Sequence, residues 1–143
     1  MEFSDTIVID APADAAWAVL AAVEAWPSWT PSMRRVVQLS PGPLAEGSRV
    51  RVWQPRMAPL TWTVDHLVPG ERFSWTTQSP GIRSFGDHRL EPVANGTRMD
   101  LSVRHEGPLA GLVGRIYADL TRRYIRAEAE GLKGRVEALR RAG

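Results

Sequence analysis

The last quarter of the chain constrains it most. Leu109, Leu112, Val113, Ile116 and Leu120 recur at spacings of three and four, and Ile125, Ala129, Leu132, Val136 and Leu139 continue the stripe after a small rotation. This periodicity predicts one helix over 109–139. At 1.5 Å per residue it would run roughly 46 Å, whereas a seven-residue strand spans only about 23 Å. Such a helix crosses a whole sheet, so the residues before it must supply a broad apolar surface.

Those residues read as short strands separated by turns. Candidate strands lie near 33–40, 48–55, 60–67, 72–79, 84–92 and 97–106. Between them stand "SPGPLAEG", "PRMAP", "VPGE", "SPGI" and "VANGT", where Pro and Gly supply the dihedrals of tight turns. Asn95-Gly96, between two alternating runs, is the strongest hairpin signal. A spacing of about 8–12 residues between turns suits an antiparallel meander.

At the other end, "EFSDTIVID" (2–10) is Ile- and Val-rich and predicts a strand. Pro12 and Asp14 suit the first turn of a helix, with Ala13, Ala16, Trp17, Leu20 and Ala21 on one face. Pro27 and Pro31 push Trp26 and Thr30 toward extended geometry, so the helix should end near Ala25. One strand, a short helix, six strands and one long helix describe an α+β fold, a strongly curved antiparallel sheet wrapped around its C-terminal helix.

Composition narrows the class. The 143 residues suffice for one domain, 1–143, with its own core. There is no cysteine, so disulfides and thiolate metal sites are excluded and a cytoplasmic location is expected. The start shows no basic, apolar leader, and no stretch reaches the ~20 apolar residues of a membrane span. The pI is 9.7, yet the net charge is only +2 and acids are interleaved with the arginines, which argues against a nucleic-acid surface.

In their order and spacing, "IVIDAPADAAWAVL" (7–20), "WPSWTP" (26–31), "LVPGERFSW" (67–75), "GDHRLEP" (86–92), "NGTRMDL" (95–101) and "EAEGLKGRVEAL" (128–139) resemble the SRPBCC superfamily. The resemblance covers nearly the whole chain and looks closest to its bacterial polyketide cyclase/dehydrase-like subgroup. It implies the helix-grip fold of START-like domains, about seven strands in the order β-αα-β6-α. Two short helices after the first strand would then form a V under one end of the long helix, with Trp29 plugging the gap to the sheet and Trp26 doing the same or lining the cavity mouth. It also implies small hydrophobic or lipid-like ligands, which some members cyclise and others only bind; still others assist a chaperone.

A helix gripped by a concave sheet leaves unfilled space. Alternation turns one face of each strand toward it: Leu60, Trp62 and Val64; Phe73, Trp75 and Thr77; His88, Leu90 and Pro92; Met99, Leu101 and Val103. On the helix, Gly111, Gly114, Ala118 and Thr121 signal close approach to the sheet, a later helix start, or room for a ligand. The expected ligand-binding residues are Trp53, Met57, Trp62, Trp75, His88, Met99, Tyr117 and Thr121; the first seven read equally as plain core. For Trp53 a regular strand argues the other way, since Val50 and Val52 share the opposite face.

No His-Glu-x-x-His, Gly-x-Ser-x-Gly or phosphate-cradling loop is present, so neither metal nor cofactor is expected. His88 is the one titratable side chain predicted to point inward, whereas His66 and His105 are expected on the solvent side. Three readings follow. The first is binding of a small hydrophobic or aromatic molecule by a monomer or homodimer. The second is a cyclase or dehydratase with His88 as acid/base and Tyr117, or Tyr124 further along, as hydrogen-bond donor to an enolate oxygen. The third is a protein-partner module, which would need an exposed apolar patch.

Overall fold

The computed structural model describes residues 1–143. Its seven strands are β1 (Glu2–Ile9), β2 (Arg35–Gln38), β3 (Arg49–Trp53), β4 (Leu60–Val68), β5 (Arg72–Ser79), β6 (Ile82–Val93) and β7 (Gly96–Glu106). They form one antiparallel sheet ordered β1-β7-β6-β5-β4-β3-β2. From β2 to β7 it is a plain meander. Only β1 pairs out of sequence, against β7, with Phe3 opposite Val103 and Ile7 opposite Met99. The alternation expected from sequence is the observed one: Trp62, Val64, Phe73, Trp75, His88, Leu90, Met99 and Leu101 are buried. Pro92, expected inward, is exposed instead, at the end of β6 beside the β6–β7 turn.

The β6–β7 turn is tight, with Val93 opposite Gly96 across two loop residues. Gly96 has φ +137°, and a Cβ there would collide with the Ile9 carbonyl. The glycine therefore serves both an uncommon backbone conformation and the close approach of β1.

The helices depart from expectation in two places. The first helix, α1 (Ala13–Ala21), ends at Ala22 rather than near Ala25. A 3-10 turn, Val23–Ser28, follows and carries Trp26 and Pro27. The two short helices are present, but Trp26 rather than Trp29 is the plug. Trp26 is fully buried, and its Nε1 donates to the Leu20 carbonyl at 2.9 Å. Half-buried Trp29 packs instead on the long helix, where a side chain at Gly131 would strike its ring and carbonyl.

The expected single long helix is two helices, α2 (Ala110–Ile116) and α3 (Ala118–Ala142), meeting at Tyr117. Gly111 and Gly114 make this stretch a poor helix former. Gly114 also lies so close to the Met1 side chain that a Cβ would collide with it. Thus Ala110 and Gly114, not the bulky stripe, face inward on α2, leaving Leu109, Leu112 and Ile116 exposed. On α3 the stripe holds: Ile125, Ala129, Leu132 and Val136 are buried against the sheet and α1, while Leu139 reaches solvent. No helix is long and apolar enough to cross a membrane.

Candidate functional site

The curvature of the sheet leaves a cavity of about 110 Å³ between its inner face and the N-terminal half of α3. β4 and β5 contribute Trp62 and Trp75, whose rings lie 5.4 Å apart. β6 contributes Ser84, Gly86 and His88, β7 Leu101, Val103 and His105, and α3 Thr121, Tyr124, Ile125 and Glu128. The β3–β4 loop closes one side with Gln54 and Met57. Tyr124 ties α3 to that loop by donating its hydroxyl to the Pro55 carbonyl. Arg56 next in line adopts φ +64°, a strained conformation for a non-glycine residue.

At the inner end His88 and Glu128 meet. His88 is stacked on Phe73, with centroids 4.2 Å apart and planes 14° from parallel, and Trp26 and Trp75 lie within 5.6 Å. Its Nδ1 is 3.3 Å from the Phe73 carbonyl. A carbonyl can only accept, so Nδ1 carries the proton and Nε2 keeps its lone pair. Nε2 faces Glu128 Oε1 across 4.0 Å, too far for a direct hydrogen bond. Glu128 Oε1 is buried and has no partner.

Burial decides the charge of both groups. It holds His88 down at about 4, against the smaller opposing effects of the Phe73 carbonyl and Asp87. It pushes Glu128 up to about 8. Near neutral pH the two are therefore a neutral base facing a neutral acid, although their spacing alone resembles an ion pair. The space between Nε2 and Oε1 is what one oxygen atom, hydrogen-bonded to either or both, would bridge.

Of the side chains singled out from sequence, the fold brings Met57, Trp62, Trp75, His88 and Thr121 to this cavity. Trp53, Met99 and Tyr117 lie elsewhere. Trp53 is on the outer sheet face under Arg35 and Arg51, at 4.9 and 5.9 Å, because Val50 and Val52 take the inner positions. Met99 is fully buried, paired with Ile7 and Leu90 in the packed part of the core. Tyr117, at the helix junction, is 37% exposed. His105, expected on the solvent side, is half-buried and bonded to Ser84 at 2.8 Å. Glu128 was missed, yet the sequence carries its signal: it interrupts the stripe Thr121, Ile125, Glu128, Leu132 with a carboxylate on the apolar face. No three His, Asp or Glu side chains converge on one point.

The family model described as polyketide cyclase/dehydrase and lipid transport matches residues 1–137. The chain belongs to this family. Among solved structures it is similar to the Zhui aromatase/cyclase from Streptomyces sp. R1128, at 22% identity and a TM-score of 0.76, covering 96% of this chain and 93% of that one. A START superfamily protein from Mycobacterium smegmatis matches at 20% identity and a TM-score of 0.72, over 96% and 98% of the two chains. A protein from Thermus thermophilus matches at 18% identity and a TM-score of 0.78, over 97% and 99%. No curated protein sequence matches. At these identities the likeness shows the helix-grip fold, and membership places the chain in a family whose members bind hydrophobic ligands in a cavity.

Proposed function

We propose that this protein binds a small, mostly apolar or aromatic molecule in the cavity between the sheet and α3, and that it grips one ligand oxygen between His88 and Glu128. The unpartnered Glu128 Oε1, buried 4.0 Å from His88 Nε2 at the end of a pocket walled by Trp62 and Trp75, carries this reading. A buried polar atom left unpaired costs roughly 1–3 kcal/mol, which a ligand oxygen would recover. The volume limits the size. About 110 Å³ is below the roughly 300–1,000 Å³ of drug-sized sites and closer to the roughly 150 Å³ of a cavity that accepts benzene. The ligand is one ring or one extended chain wide. Titrating single-ring phenols and aryl ketones while following tryptophan emission tests the reading, because Trp62 and Trp75 line the pocket. Saturable shifts that vanish in a Glu128→Leu variant are expected. No shift from any such compound would refute it.

The same pair favours acid–base chemistry as a second reading, a cyclase or dehydratase. On a β-hydroxy ketone, His88 Nε2 would take the proton α to the carbonyl as the carbon–oxygen bond breaks. Glu128 would give its proton to the departing hydroxyl, releasing water and leaving a carbon–carbon double bond. Tyr124 lines the cavity and Tyr117 does not, which favours Tyr124 as the hydrogen-bond donor. His88→Ala should abolish dehydration of a linear β-hydroxy polyketone while leaving the fold intact. Unchanged turnover would remove His88 from the reaction.

A further inference from the structure

The cavity has a second polar station. Ser84 on β6 is directly opposite His105 on β7, and Ser84 Oγ lies 2.8 Å from His105 Nδ1. Both line the same cavity as His88 and Glu128. Ser84 is four residues from His88 along β6 on the same face, which separates the stations by about 13 Å. Between them the wall is Gly86, on which the Trp75 indole rests: a Cβ there would come within 2.7 Å of its Nε1. The absent side chain lets the indole lie flat over that stretch, so its face walls the cavity between the stations.

We infer that the ligand is two-ended: a slender molecule with a flat apolar middle and a hydrogen-bonding oxygen at each end, one held by His88 and Glu128 and the other by Ser84 and His105. The inference rests on the cavity reading and adds the substrate class. Subtracting a hydrogen bond at each end from about 13 Å leaves roughly 8 Å between the ligand oxygens. The ends also differ. His88 and Glu128 are buried and favour a neutral hydroxyl or ketone, whereas half-buried His105 lets its end keep water and accept a charged group such as a carboxylate.

Isothermal titration with three probes tests this: 3-(4-hydroxyphenyl)propanoate, which has both ends, 4-propylphenol and 3-phenylpropanoate. The two-ended probe should bind about ten-fold tighter than either one-ended probe. In Ser84→Ala its advantage over 4-propylphenol should fall to about one-fold. Equal affinity of all three probes for the wild type would overturn the two-station inference and leave the cavity reading standing. If none of them binds, the cavity reading falls and takes the inference with it.

Discussion

Replacing Glu128 by glutamine should stabilise the protein, and increasingly so as pH rises. The carboxyl titrates at about 4.5 in the unfolded chain and is pushed up to about 8 by burial in the folded one. Below 4.5 both states hold the proton and burial carries no protonation penalty. Between 4.5 and about 8 the unfolded chain has released the proton and the folded one has not, so stability falls as pH rises. Each unit corresponds to ~1.4 kcal/mol, and the whole interval to about 5 kcal/mol. Glutamine keeps the shape and the polar head but not the titration. Urea unfolding of both proteins, followed by tryptophan fluorescence at pH 5 and pH 8, isolates the effect. The advantage of Glu128→Gln should grow by about 3 kcal/mol between those conditions. His88 titrates oppositely: burial depresses it from 6.5 to about 4, so its contribution is lost as pH falls, and this is common to both proteins. An advantage equal at the two pH values would mean that Glu128 ionises alike folded and unfolded. The buried neutral pair would then be wrong.

Two further outcomes follow from the packing. Trp26→Ala should destabilise the fold by about 3–5 kcal/mol, since this fully buried ring touches Trp29, Phe73, Trp75 and His88 at once; a loss under 1 kcal/mol in the urea midpoint would contradict its role as the plug. Tyr117→Phe should leave ligand affinity within two-fold of wild type because Tyr117 is outside the cavity, whereas Tyr124→Phe should change it by releasing the β3–β4 loop at Pro55; the reverse ranking in a titration would return Tyr117 to the site.

The strand positions, the turn between β6 and β7 and the inward set along β4 to β7 follow from local chemistry, which is why residues 72–79 are a strand in both readings. Period-two alternation fixes a face as soon as one neighbour is buried, so His88 and Trp75 could be turned inward without knowing what they meet. The same rule turned Trp53 outward, against its place among the expected ligand-binding residues.

Sequence by itself determined the order of elements, the family and the dry face of the sheet. Tertiary structure alone decided where the last helix breaks, which tryptophan fills the core and which groups meet in the cavity. Those outcomes depend on distances between residues far apart in the chain: Gly114 against Met1, Gly131 against Trp29, and Glu128 against His88 forty residues earlier. Periodicity records which side of an element is apolar. It does not record what packs there, so it saw a stripe at Leu112 and Ile116 that nothing covers and left unremarked the one carboxyl that the sheet encloses.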